Sequence, residues 1–171
     1  MGVQLKTGDI ILWSGKSLIS RAIQYITNSP WSHVAWVWTP DFLVEADWMG
    51  VVCRPAREYT DHPDQMAVVR IPVLTEMDIH KVLEEAASKL GRQFDFRLFF
   101  GLLWDWLLRR KRSKDTPNTR SAFICSELVA RPLWKVLQFR FHDDIAMVNT
   151  TPGDIASSPR VEFIFRPDRM G

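Results

Sequence analysis

Short apolar runs with the composition of β-strands recur along the first half of the chain. They are rich in Val, Ile, Trp and Phe and are bounded by turn residues. The runs span residues 10–13, 31–38, 42–48, 49–53 and 66–71, and an alternating run at 161–165 predicts a terminal strand. The close spacing of the middle three runs indicates consecutive antiparallel strands, so we expect a small antiparallel sheet or half-barrel.

Apolar residues at helical spacing predict two amphipathic helices beside this sheet. Ser17 can cap the first helix, which should end before Pro30 because a residue that precedes proline avoids helical dihedrals. Thr75 and Asp78 form a capping pair for the second helix, and Gly91 should stop it. Helices packed on an antiparallel sheet predict an α+β fold, and a chain of 171 residues fits a single domain over 1–171.

The chain becomes strongly apolar from Leu98 to residue 108 and then strongly basic up to Lys114. The apolar run is shorter than the roughly 20 residues that a membrane-spanning helix needs, and Asp105 interrupts it. Three interpretations stay open: a core helix or substrate-covering lid, an interfacial helix that contacts anionic headgroups, and a helix with a merely solvated basic end. Peripheral membrane contact through residues 98–114 is therefore one of the alternatives.

Composition and charge narrow the class of protein. The net charge of +2, from 22 basic and 20 acidic residues, does not indicate a nucleic-acid partner. The chain has only two cysteines and no apolar signal-peptide core after Met1, which favours a reduced, cytoplasmic protein with free thiols.

A cysteine lies where a third helical pattern begins, after a polar, proline-containing loop at 113–121. This pattern runs from Cys125 toward Gln138, and Pro132 is expected to kink or limit it. The N-terminus of a helix presents unpaired N–H groups and the positive end of the helix dipole, which together stabilise a thiolate. Cys125 is therefore the first candidate for a nucleophile.

A cysteine nucleophile needs a base and a group that orients the base. His33 stands at the start of a strand-like run, whereas the other three histidines lie in polar or mixed surroundings typical of loops. Glu45 lies in the next apolar strand, where a buried carboxylate requires a partner such as an imidazole N–H. Asp47 shares its face of the strand and is the alternative orienting residue.

The other thiol and the remaining metal-binding side chains suggest no further site. Cys53 lies in an apolar strand and is expected to be a small buried residue, although the neighbouring Arg54 could lower its pKa. The two cysteines and four histidines lack the spacing of metal ligands, so we expect neither a metal nor another cofactor.

An ordered series of motifs runs through nearly the whole chain. It comprises Gly8-Asp9-Ile10-Ile11, Ser32-His33-Val34, Val44-Glu45-Ala46, Gly91-Arg92-Gln93-Phe94-Asp95, Cys125-Ser126-Glu127-Leu128-Val129 and Thr151-Pro152-Gly153-Asp154-Ile155, the last of which is predicted to be a turn. The series resembles the circularly permuted NlpC-type papain-like hydrolases of the YiiX/YaeF-like amidase branch. In ordinary papain-like enzymes the cysteine precedes the histidine, so the order here is that of a permuted member. The family's tyrosine in the Gly-x-x-Tyr-Asp element is replaced by Phe94.

The resemblance implies a permuted papain-like fold with Cys125 as nucleophile, His33 as base and Glu45 as the orienting residue. It also implies a cysteine hydrolase that cleaves an amide or ester through a thioester on Cys125, acting as an amidase or peptidase, a thioesterase or an acyltransferase. A non-catalytic groove-binding protein or a membrane-associated accessory protein on the same fold is the alternative.

Side chains next to the histidine and the cysteine are the predicted substrate contacts, namely Trp31, Ser32, Trp36 and Ser126. The eight tryptophans fit either a tryptophan-rich core or an apolar acyl-binding groove. Small peptides, N-acyl compounds and lipid-like acyl compounds are all expected substrates. The tryptophans around the histidine favour an acyl or lipid-like compound, as in the related lecithin:retinol acyltransferase-like enzymes.

Overall fold

A single antiparallel sheet of six strands organises the computed structural model, which describes residues 3–92 and 125–167. The strands are β1 (Ile10–Trp13), β2 (His33–Thr39), β3 (Phe42–Asp47), β4 (Gly50–Pro55), β5 (Met66–Arg70) and β6 (Glu162–Phe165). Their order across the sheet is β4-β3-β2-β1-β5-β6. All six predicted strands are present, and β2, β3 and β4 are consecutive neighbours. The predicted α+β class is therefore confirmed.

Helices in the described residues flank this sheet. They are α1 (Leu18–Thr27), α2 (Arg57–Thr60), α3 (Glu76–Ala87), α4 (Cys125–Leu137) and α5 (Pro152–Ser157), with 3-10 turns at Pro63–Gln65 and Met147–Asn149. The α2 helix lies in the connection between β4 and β5, where the sequence pattern predicts no helix.

The predicted N-terminal caps of α1 and α3 are confirmed, but α3 ends at Ala87 with Ser88 as its C-cap, so the prediction that Gly91 stops this helix is wrong. The hydroxyl of Ser17 accepts a hydrogen bond from the Ser20 N–H at the start of α1. Thr75 and Asp78 form a reciprocal capping box at the start of α3. The α1 helix ends at Asn28, whose φ of 47° places it in the left-handed region that asparagine tolerates and that ends a helix.

Two local predictions need correction or refinement. The predicted turn at residues 151–155 begins a helix instead, because Thr151 and Asp154 form a second capping box and Pro152 occupies the first turn. Pro132 lies inside α4 and does not end it, since the helix continues to residue 137. The start of α5 is therefore set by its cap, which stabilises the free backbone groups of the first turn.

Apolar side chains are buried on both faces of the sheet. One face includes Ile10, Leu12 and Trp36 and packs against α3 and α4, with Leu128 of α4 in the same cluster. The other face includes Ile11, Val37, Leu43, Met66 and, from α2, Tyr59. Because both faces are covered, the central strands are continuous apolar runs instead of alternating ones.

The segment 98–114 lies outside the described residues. The lid and membrane-contact interpretations of that segment both stay predictions. Within residues 3–92 and 125–167, no helix combines the length and the apolar character that a membrane span requires.

Candidate active site

The β2–β3 hairpin brings His33 and Glu45 together. Glu45 pairs with Ala35 in the register of these strands, and His33 lies two residues before Ala35 on the same face. The two side chains are therefore diagonal neighbours, and His33 Nε2 lies 3.0 Å from Glu45 Oε2. Asp47, the alternative orienting residue, instead forms an ion pair with Arg54.

Cys125 reaches the hairpin from α4, which packs across β2 and β3. Only 9% of the residue is exposed, and its sulfur interacts with the His33 side chain and with the backbone N–H groups of Val34 and Ser126. Because Glu45 occupies Nε2 of the imidazole, Nδ1 is the ring nitrogen left for the sulfur. The structure thus brings together Cys125, His33 and Glu45, the residues predicted as nucleophile, base and orienting group.

The charges of Cys125 and His33 stabilise each other. Burial alone would raise the pKa of the thiol, but the charge and hydrogen bond of His33 and the N–H groups of Val34 and Ser126 lower it below its usual value. Burial alone would likewise lower the pKa of His33, but the Cys125 thiolate and the Glu45 carboxylate raise it to about 10. Both pKa shifts therefore favour the thiolate–imidazolium form of the pair. The His33 side chain stays 20% exposed, so the pair is not sealed from solvent.

Glu45 is held from three sides, although the residue is only 1% exposed. Its Oε1 lies 2.7 Å from Arg54 Nε, while its Oε2 accepts hydrogen bonds from the Tyr59 hydroxyl and from His33. Burial opposes the charged form, but His33, Tyr59 and Arg54 together lower the pKa of Glu45. The carboxylate is therefore ionised despite its burial.

The sequence pattern does not predict that Tyr59 contacts Glu45, and it suggests Arg54 only as a neighbour of Cys53. A signal for Arg54 existed, because Glu45 pairs with Val52 on β4 and Arg54, two residues further on, shares that face. Tyr59 had no comparable signal, since it lies on the four-residue helix α2 outside the sheet.

The four predicted substrate contacts are buried and have structural partners. Trp31 and Trp36 are 2% and 1% exposed, and Trp36 Nε1 donates to the Leu128 carbonyl at 3.2 Å. The Ser32 hydroxyl accepts from the Gly15 N–H at 3.0 Å. The Ser126 hydroxyl donates to the Thr150 carbonyl at 2.6 Å. These contacts place the four side chains in the core, and their role as substrate contacts stays a prediction.

The expected burial of Cys53 is wrong. Its side chain is exposed because β4 is the edge strand of the sheet. His80 is exposed on α3, and His142 Nε2 lies 2.8 Å from the Asp154 carbonyl oxygen, so neither approaches Cys125. Among residues 3–92 and 125–167, no group of three or more His, Cys, Asp or Glu side chains is arranged to hold a metal ion.

Comparisons with known proteins agree with the fold. No protein-family model and no curated protein matches the sequence. Among solved structures, the chain is similar to the metalloprotein YiiX from Escherichia coli O157:H7, with a TM-score of 0.67 and 21% sequence identity. The similarity covers 94% of this chain and 96% of YiiX. At this level of identity the similarity shows the fold alone, and we conclude that the chain has a YiiX-like α+β fold.

Proposed function

We propose that the protein is a cysteine hydrolase that cleaves an amide or ester through a thioester on Cys125. The observation that carries this proposal is the mutual stabilisation of the Cys125 thiolate and the His33 imidazolium, with Glu45 on the other ring nitrogen. A purely structural cysteine needs neither a lowered pKa nor a base that is itself oriented by a carboxylate.

The first half-reaction acylates the cysteine. The thiolate attacks the carbonyl carbon, an S–C bond forms, and the carbonyl electrons move to the oxygen. The N–H of Cys125 is our proposed donor to that oxyanion. When the intermediate collapses, the C–N or C–O bond breaks and the His33 imidazolium gives its proton to the departing amine or alcohol.

The second half-reaction releases the acyl group. Neutral His33 takes a proton from water while the water oxygen attacks the thioester carbonyl. Collapse of this second intermediate expels the Cys125 thiolate and frees the carboxylic acid, which restores the ion pair. Glu45 stays ionised throughout and holds the imidazole in place. An alcohol or amine in place of water would give acyl transfer by the same steps.

YiiX is described as a metalloprotein, which raises the question of a metal at this site. The donor set here does not fit one, because both Glu45 oxygens already face Arg54, Tyr59 and His33. The cationic guanidinium beside this carboxylate would also repel a metal ion. The proposed reaction therefore uses no metal step.

The burial of Cys125 restricts the class of substrate that can reach it. An acyl carbonyl must reach the sulfur of Cys125, a residue that is only 9% exposed, so a narrow acyl group fits better than a folded polypeptide. Small peptides, N-acyl compounds and lipid-like acyl compounds all meet this condition.

Acyl-enzyme trapping with a p-nitrophenyl ester tests the proposal. We expect a burst of nitrophenol and an added acyl mass on Cys125 that hydroxylamine removes. Cys125→Ser and His33→Ala should each abolish the rapid burst.

Cys53→Ser is the matched control, because it removes the exposed thiol and leaves the candidate site intact. It should keep the full burst. Acylation confined to Cys53, or an equal rate of Cys125 acylation in His33→Ala, would refute the cysteine-hydrolase proposal. Either result would favour a non-catalytic binding or accessory role on this fold.

A further inference from the structure

We propose that Arg54 and Tyr59 are positioning residues that hold Glu45 as an oriented carboxylate behind His33. This inference rests on the proposed function, since it concerns the group that supports the imidazole of the candidate base. Neither residue is expected to touch substrate, and both would act through Glu45.

Arg54 and Tyr59 bind different oxygens of the same carboxylate. The Arg54 Nε atom lies 2.7 Å from Oε1, and the Tyr59 hydroxyl donates to Oε2. Oε2 also faces His33 Nε2 at 3.0 Å. With one oxygen held by the guanidinium and the other by the phenol, rotation of the carboxylate away from the imidazole would break at least one of these bonds.

Each positioning residue is itself held by further contacts. The Arg54 guanidinium also forms an ion pair with Asp47. Its Nη1 atom lies 3.5 Å from Oε2 of Glu58, which is four residues further along the chain. The Tyr59 ring packs edge-on against Trp13, with centroids 4.9 Å apart. It also lies nearly parallel to the His33 ring, at 15° and a centroid distance of 6.4 Å. A support of this kind limits the motion of Glu45 because its donors are not free to rotate.

The support matters because a carboxylate that is 1% exposed pays a large desolvation cost. Burial by itself raises the pKa of Glu45, and the interactions with His33, Tyr59 and Arg54 lower it. Without Arg54 or Tyr59, Glu45 would take up a proton at a higher pH. A neutral Glu45 no longer attracts the imidazolium, so the Cys125 thiolate would be lost at that higher pH too.

The charged and titratable groups around Glu45 are few in the described residues. His33 and Arg54 contact it directly, and Tyr59 supplies the hydroxyl. Asp47 and Glu58 act on it through Arg54, and Cys125 acts through His33. Arg54 is thus the permanent cation among these groups, while Tyr59 is a neutral donor whose hydrogen bond also lowers the pKa of Glu45.

The test is the pH profile of Cys125 alkylation by iodoacetamide, with Cys53→Ser as the background so that one thiol remains. In Tyr59→Phe the ring is retained and only the hydroxyl is lost, and in Arg54→Gln the cation is lost. We expect the acid limb of the alkylation profile to move toward neutral pH by roughly one unit in both Arg54→Gln and Tyr59→Phe. Because Arg54→Gln leaves a buried charge unpaired and can unfold the protein, Arg54→Lys is a second variant that should keep most of the parent profile.

The chain offers matched controls for both positions. Tyr25→Phe changes a tyrosine that is 88% exposed on α1, and Arg57→Gln changes an exposed arginine on α2. Both should leave the acid limb in place. A folded Tyr59→Phe protein with a lowered Tm but an acid limb identical to the controls, together with an unshifted Arg54→Gln if it folds, would overturn the positioning role.

This experiment separates the two proposals, because alkylation needs no turnover. If the parent profile does not depend on His33, the proposed function fails. If it depends on His33 but none of the Arg54 and Tyr59 variants shifts it, only the positioning role fails.

Discussion

His33 Nε2 lies 3.0 Å from Glu45 Oε2, across one strand pair of the sheet. The contact follows from the antiparallel register, in which Glu45 faces Ala35 and His33 is the next residue on that face toward the beginning of β2. Because the sulfur of Cys125 interacts with the same imidazole, His33 connects the sheet to helix α4.

The first prediction compares the two acidic residues of β3. Glu45→Ala should reduce the rate of Cys125 acylation roughly 100-fold, because it removes the group that orients His33. Asp47→Asn should change the rate by less than about threefold, because Asp47 contacts Arg54 instead of the imidazole. Burst kinetics with the nitrophenyl ester measure both rates. A larger loss in Asp47→Asn than in Glu45→Ala would reverse the assignment.

The second prediction concerns the ionisation of the nucleophile. The pKa of Cys125 is lowered by His33, so its alkylation should persist well below the usual thiol pKa of about 8.5. In His33→Ala the alkylation midpoint should rise, because burial then opposes the thiolate without a compensating cation. Stopped-flow alkylation in the Cys53→Ser background gives both midpoints. A parent midpoint near 8.5 would contradict the ion pair.

The third prediction concerns stability in acid. The folded-state pKa of Glu45 is lowered, so its ionisation stabilises the fold fully above the unfolded pKa of about 4.3 and loses this effect as the pH falls through the folded value. The Tm of the parent should therefore fall more steeply below about pH 4.3 than the Tm of Glu45→Gln. Glu84→Gln, whose side chain is 67% exposed on α3, is the control and should follow the parent curve. Parallel curves for the parent and Glu45→Gln would show that Glu45 does not titrate as stated.

The fourth prediction addresses Ser126, which follows the nucleophile. Ser126→Ala removes the hydrogen bond to the Thr150 carbonyl and should lower the free energy of unfolding by about 1 kcal/mol. Because the hydroxyl faces that carbonyl, KM for the ester should not change. Ser157→Ala, at the exposed end of α5, should change neither quantity. An increased KM with an unchanged free energy of unfolding would show that Ser126 contacts the substrate.

Local structure was predictable from the sequence wherever neighbouring residues decide it. The capping serine at position 17 and the Thr75–Asp78 pair satisfy backbone groups within three residues of themselves, so the helix starts follow from local chemistry. Thr151 and Asp154 form an equivalent capping box. The Pro-Gly pair between them predicted a turn, although the same local chemistry starts a helix there.

Burial was less predictable, because it depends on what packs against an element. The apolar run that contains Cys53 predicted a buried thiol, but β4 is an edge strand and the side chain is exposed. The tryptophans near His33 suggested a groove, yet Trp31 and Trp36 fill the core. An amphipathic ring has the same sequence signature in a core and in a groove.

By itself, the sequence determined the strands, the N-terminal helix caps and the shared face of Glu45 and Asp47, because the period of two along a strand and the chemistry of a cap are local properties. Only the tertiary structure decided that Glu45 and not Asp47 meets His33, and that α4 brings Cys125 to the start of β2. It alone also placed Arg54 and Tyr59 behind the carboxylate. These contacts join distant parts of the chain, and strand register and helix packing set their distances.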